Sequence, residues 1–138
     1  MVIICFAWAS CGGERQDVPE AEVRAAFENY TQGMEARDWE RVCEQMAPES
    51  IDELRQETDS DPSQPCPEVW AALYESLGEE LADDLTVDMN RTAEIDDIEV
   101  DGETATIDWH HTRRGKRVFV SQQARRIEGE WKLIDDLK

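Results

Sequence analysis

Apolar positions along this chain repeat first at helical and then at strand spacing. Val23, Phe27, Tyr30 and Met34 fall at i, i+4, i+7 and i+11, one stripe of a helix. Asp17 with Glu20 makes a capping pair for that helix, and Pro19 suits its first turn. Asp38 caps a second helix that turns Trp39, Val42, Cys43 and Met46 inward, and Pro48 ends the run. Ser50 with Glu53 is a second capping pair, opening a short helix through Leu54. A polar, Pro-containing loop over 57–65 leads to a helix that starts at Cys66-Pro67-Glu68. Its buried face is Val69, Trp70, Leu73, Tyr74 and Leu77, with Leu81 as a further candidate, and Gly78 is its expected C-cap, although apolar periodicity continues weakly beyond.

After Thr86 the period becomes two. Asp101-Gly102, Arg113 through Lys116 and Glu128-Gly129 read as turns between strands at about 91–100, 103–112, 117–127 and 130–137, an antiparallel meander. Two-residue turns pair Val100 with Glu103 and Ile127 with Glu130; a four-residue turn pairs Thr112 with Arg117. One face then carries Ile98 and Val100; Ala105, Ile107, Trp109 and His111; Val118, Val120, Gln122 and Ala124; and Trp131, Leu133, Asp135 and Leu137. A slip of one residue would destroy that agreement, so the register is well specified. The expected class is α+β, with N-terminal helices packed on a four-stranded antiparallel sheet, as one domain over 18–138.

Ahead of that domain the chain changes character. Residues 2–10 are apolar or small, and the first charge after Met1 is Glu14. The segment Trp8-Ala9-Ser10-Cys11 resembles the bacterial lipoprotein lipobox, with Trp8 where Leu is usual. The resemblance implies an export signal over 1–11, acylation of Cys11 and a polar Gly-containing tether over 12–17. The run is too short to span a bilayer. Cys43 and Cys66 then remain as a pair, which in an exported protein reads as a disulfide, the alternative being two buried thiols. The expected location is the cell envelope, outside the cytoplasm and lipid-anchored to the membrane.

The net charge of −19 excludes a general phosphate-backbone binder, so no nucleic-acid partner is expected. Eight of the 14 basic residues lie in 113–138, where Arg113-Arg114-Gly115-Lys116-Arg117 forms a basic hairpin tip. That tip is either a solvated turn or a contact for an acidic partner.

Helices followed by a four-strand meander, with Val23-Arg24-Ala25-Ala26-Phe27, Ala36-Arg37-Asp38-Trp39, Val42-Cys43, Cys66-Pro67-Glu68, Val100 through Ile107 and the terminal Gly129-Glu130-Trp131, resemble the nuclear transport factor 2-like superfamily, and in particular its small bacterial lipoproteins. The resemblance implies a cone, a curved sheet wrapped on helices with a pocket at its open end. It implies no single function, because the fold hosts enzymes, binding modules and assembly domains.

The register places Asp96, Ile107, Gln122 and Asp135 in one row of the inner face, with Trp109 beside it; these five are the expected pocket lining. Ketosteroid isomerase and the polyketide cyclases of this superfamily hold an acidic base inside the cone. By that likeness Asp135 is the catalytic candidate, with His111 or Tyr30 as proton partner. The alternative puts Asp96 and Asp135 at a solvated rim. His110 and His111 are neighbours on a strand and point to opposite faces, so no metal site is expected, and no motif calls for a cofactor. Trp39, Trp70, Trp109 and Trp131 read as core. Phe119, Ile127 and Ile134 give the outer face a modest apolar surface through which a homodimer could form. The function expected is a lipid-anchored extracytoplasmic module that binds a small ligand or an envelope protein. The alternative is a small isomerase or cyclase-type enzyme.

Overall fold

The computed structural model describes the backbone of residues 4–134 and the side chains of 18–84 and 88–134. Five α-helices come first: α1 (Ile4–Ala36), α2 (Trp39–Glu44), α3 (Pro48–Glu57), α4 (Cys66–Leu77) and α5 (Glu79–Asp83). A π-helical segment, Asp84–Asn90, leads into β1 (Glu94–Asp101), β2 (Thr104–Arg113), β3 (Lys116–Ile127) and β4 (Glu130–Ile134). The strands form one antiparallel sheet in the order β1-β2-β3-β4.

The helix stripe expected in α1 is the buried one. Val23, Phe27 and Met34 are buried, and Tyr30 is half-buried. The helix itself begins at Ile4, well ahead of the expected start at Asp17. It contains Pro19 and includes the backbone of residues 12–17, read from sequence as a tether. Asp38 caps α2 as expected, accepting from the Arg41 backbone N–H. The capping pair at Ser50 does not form. Pro48 opens α3 instead, because its fixed φ suits the first helical turn, and Ser50 is buried inside the helix. Beyond Gly78, whose φ of 81° ends α4, the weak periodicity proves to be helix again, as α5 and the π-helical segment.

Two of the three strand registers match the turn chemistry. Thr112 faces Arg117 and Ile127 faces Glu130. The first hairpin differs: Asp101 pairs with Thr104 and Val100 with Ala105. Gly102, at φ 62°, takes the first central position of the two-residue turn, where a type II′ turn demands a positive φ, so the loop is Gly102-Glu103 rather than Asp101-Gly102. The shift is even, and each side chain from Ile98 to Val100 keeps its expected face. At Asp96 it does not. The register breaks between Ile95 and Asp97, and this β-bulge removes Asp96 from the inner row.

The sheet's inner face and the helices meet in two hydrophobic clusters. The first joins Val23, Ala26 and Phe27 of α1 to Ile98, Ala105, Ile107, Trp109, Ala124, Trp131 and Leu133. The second is helical, with Met34, Val42, Met46, Leu54, Cys66, Val69, Trp70, Tyr74 and Ala82. Ile107 and Leu133 are fully enclosed, and burial of such a side chain contributes about 1.5–3 kcal/mol. Tyr30 packs against both clusters and marks the seam between them.

Two further contacts close the molecule. A Cys43–Cys66 disulfide joins α2 to the start of α4, with Cα atoms 6.1 Å apart. The outer edge of β4 is covered by the α2–α3 connection: the Leu133 N–H donates to Gln45 O at 2.6 Å, and the Ala47 N–H donates to Leu133 O at 2.8 Å. These two bonds occupy the outward backbone groups of Leu133, so that part of the β4 edge is not open to pairing with another chain.

Candidate ligand pocket between sheet and helices

At the seam lies a cavity of about 460 Å³. Its sheet wall is Trp109 and His111 of β2 with Val120 and Gln122 of β3. Phe27, Tyr30 and Met34 of α1 form one side, and Leu54, Trp70, Leu73 and Tyr74 of α3 and α4 the other. The cavity lies where α1 serves both clusters: α2 packs on α1, α4 packs on α2 and α3 on α4, and a gap is left where this helical layer and the sheet diverge. Its size falls within the usual range for small-molecule sites.

The aromatic side is rigid. Trp39 stacks on Trp70 with ring centroids 5.7 Å apart and planes 10° apart, and Tyr74 tilts against both. Trp70 Nε1 donates to Met46 Sδ at 3.3 Å. The Arg37 guanidinium sits 5.8 Å from the Tyr74 ring centre. Burial pushes the Tyr74 hydroxyl up to about 12, so it stays a neutral phenol.

Several polar groups in this wall are committed to neighbours. Thr31 Oγ1 donates to Glu28 O, and Thr58 Oγ1 to Leu54 O. Two nitrogens are not: Trp109 Nε1 and His111 Nδ1 are buried with no hydrogen-bond partner among the described residues. The two rings are neighbours on β2, their centroids 5.4 Å apart. Burial, then Arg113, then His110 hold the His111 imidazole below the ordinary histidine value, so near neutral pH it is uncharged. Glu57 is the one carboxylate among the described lining residues, and no Lys or Arg lines the cavity there.

Of the five residues expected to line the pocket, Trp109 and Gln122 do so. Ile107 lies on the expected face but is enclosed in the sheet-side cluster rather than open to the cavity. Asp96 is a correction. The bulge turns it to the opposite face, where its carboxylate meets His110 Nδ1 at 2.9 Å while Glu94 reaches Nε2 at 3.1 Å. Asp135 lies outside the described residues, as does the side chain of Cys11. The other two catalytic candidates, His111 and Tyr30, line the same cavity.

His110 and His111 do point to opposite faces, His110 toward Phe119 and His111 toward Trp109. Among the described residues no group of three His, Cys, Asp or Glu side chains could hold a metal ion. The helical wall, with Met34, Leu54, Leu73 and Tyr74, was not anticipated as pocket lining. Trp70 and Trp109 were read as core: both are indeed buried, and both also face the cavity. The four-tryptophan pattern was the available signal, but helix docking decides which indoles reach an opening.

No protein-family model matches the sequence, and no curated protein matches it. The fold is similar to that of a nuclear transport factor 2-like protein of unknown function from Shewanella oneidensis. That likeness has 10% identity and a TM-score of 0.49, and it covers 85% of this chain and 96% of the other. It is also similar to a Campylobacter jejuni protein described as a candidate nuclear transport factor 2-like transpeptidase, with 13% identity and a TM-score of 0.45, covering 79% and 94%. The chain itself shows helices first, a β1-β2-β3-β4 antiparallel meander after them and a pocket between the two.

Proposed function

We propose that this domain is a binding module that takes a small, mostly apolar molecule into the cavity between sheet and helices, and that it works outside the cytoplasm on a lipid anchor at Cys11. The cavity carries the binding reading: it is lined by aromatic and aliphatic side chains at the meeting of two separately packed clusters. Filling it with protein would stabilise the fold, so its persistence argues for an occupant. The Cys43–Cys66 disulfide supports an oxidising compartment. No helix among the described residues is long and apolar enough to cross a membrane. The lipobox-like Cys11 supplies attachment on this reading.

The binding test uses N-phenyl-1-naphthylamine, a neutral apolar fluorophore. It should brighten on a one-to-one complex with the protein and lose that response in Leu73→Trp, which fills the cavity. Unchanged binding in that variant would place the probe elsewhere and remove the reading. For the anchor, intact mass of membrane-extracted protein should show acyl mass on Cys11, and a protein with an unmodified Cys11 refutes it.

A second reading, proton-transfer catalysis, draws on one observation: Tyr30 and His111 share the cavity. Asp135→Asn, assayed for isomerisation of small enolisable ketones, separates the two. A binding module shows no turnover with either protein.

A further inference from the structure

We infer that the β2–β3 hairpin tip of one copy of this chain docks on α5 of a second copy, and that the second copy's tip docks in return on the first copy's α5. The contact is independent of what the cavity holds.

Residues 113–119 are exposed without a break, and Arg113, Arg114, Lys116 and Arg117 lie in that run with no acid among them. Elsewhere on the chain cations find acids: Arg24 pairs with Glu20, Arg37 with Asp83, Arg55 with Asp52, Arg91 with Glu35 and Arg125 with Glu49. At the tip, Arg113, Lys116 and Arg117 meet no acid among the described residues. Arg114 only approaches Asp84, at 3.9 Å, with 78% of its side chain exposed. The ladder holds the hairpin as far as the Arg113–Lys116 pair, so the other three cations stay off their own α5. Three unanswered cations on one turn are the exception in a chain with 33 acidic residues.

The complement of the tip stands beside it. Residues 75–84 hold Glu75, Glu79, Glu80, Asp83 and Asp84 and no base. Asp83 is held by Arg37, whereas Glu75, Glu79 and Glu80 are exposed and meet no cation among the described residues. Arg114 borders the same shallow, open recess as Glu79, Glu80 and Leu81. Each patch also carries an exposed apolar side chain, Leu81 on α5 and Val118 next to the tip. Val118 pairs across the ladder with His111, which puts it on the helix-facing side of the sheet.

A positive patch next to a negative one is self-complementary under a two-fold axis. Half a turn sets each tip on the other copy's Glu79 and Glu80, with Leu81 and Val118 between. A long polyanion fits less well, because past the tip it would run on over the acidic body. The net charge of the second copy opposes docking less than its size suggests, since at physiological salt charges are screened beyond about 8 Å while the docked patches touch. The contact involves about a dozen residues a side, against roughly 20–30 in a stable complex, so the pair forms and parts quickly. Phe119 lies on the other face of the sheet, against His110, and takes no part.

The test mixes the full chain in equal parts with its nitrogen-15-labelled form at physiological salt and adds a carbodiimide, which joins a lysine to a carboxylate in contact with it. Peptides linking Lys116 of one isotope to Glu79 or Glu80 of the other should appear. Arg113→Glu with Arg117→Glu should lower their yield about tenfold, and Arg113→Lys with Arg117→Lys should keep it within about twofold. Leu81→Ser should also lower it, and Phe119→Ser should leave it unchanged. Every substituted side chain is exposed, so the fold is not at risk. Absence of mixed-isotope peptides from Lys116, or a yield that the charge reversal leaves unchanged, overturns the inference. Loss of the yield in Phe119→Ser alone overturns it too, by assigning the pairing to the outer face of the sheet.

Discussion

Reduction of the Cys43–Cys66 bridge is the perturbation whose effect can be worked most fully. The two cysteines are 23 residues apart. Closing a loop of that length removes conformational entropy from the unfolded chain equivalent to about 3.4 kcal/mol at 25 °C. The folded side changes less. α2 and α4 are also held by the Trp39–Trp70 stack, and the Trp70–Met46 hydrogen bond ties α4 to the connection after α2; neither needs the bridge. The reduced protein should therefore keep its native aromatic circular dichroism in buffer yet unfold much earlier in urea. With a slope of about 1.5 kcal/mol per molar for a domain of this size, the midpoint should fall by about 2 M on reduction. The slope should also steepen, because the freed chain exposes more surface when it unfolds. The assay is urea unfolding followed by tryptophan fluorescence, with thiols counted by mass before and after. A midpoint that moves by less than about 0.5 M, with both thiols shown to be free, would falsify the entropic account. Loss of the aromatic signal in buffer would show instead that the bridge holds the native helices together.

Three further outcomes follow from the packing and the buried titratable group. A Cβ at position 33 would stand 3.0 Å from Val42 Cγ2 and 3.3 Å from the Val42 nitrogen, and Val42 is fully enclosed. Gly33→Ala should therefore lower stability by about 1 kcal/mol despite alanine's better helix propensity, and a higher urea midpoint would contradict the close α1–α2 approach. Ile107→Ala should cost about 3 kcal/mol by thermal unfolding, since Ile107 is 0% exposed; a loss under 1 kcal/mol would mean that the sheet-side core collapses onto the gap. His111 is held below its ordinary value of 6.5, so the unfolded chain binds the proton that the native state resists. Stability should then be present above the ordinary histidine value of 6.5 and fall as the pH drops below it. His111→Phe should flatten that slope, and an unchanged slope would assign it to other groups.

The sheet was legible in the sequence because its signals are local. A period of two and glycines at turn positions set the faces and two registers without reference to anything distant. The third register and the bulge at Asp96 were not legible. Whether Gly102 is the first or second turn residue depends on the backbone angle it adopts, and a bulge leaves no mark in an alternating pattern. That one inserted residue converted Asp96 from expected pocket lining into a partner of His110 on the opposite face. The helix stripes were legible for the same reason as the strands, but helix starts were not always. Ser50 has the right partner for a capping box, yet Pro48 claims the first turn before it.

By itself the sequence determined the class of fold, the inner face of the sheet and the presence of Trp109, His111, Gln122 and Tyr30 on surfaces turned toward the interior, because periodicity fixes which way a side chain points. Only the tertiary structure decided that those surfaces stay apart by some 460 Å³, that α3 and α4 supply the opposing aromatic wall, and that Ile107 is sealed while Trp109 is not. The physical reason is that a cavity is a property of how elements dock. It depends on where two packing layers part company, and no single element's pattern carries that information.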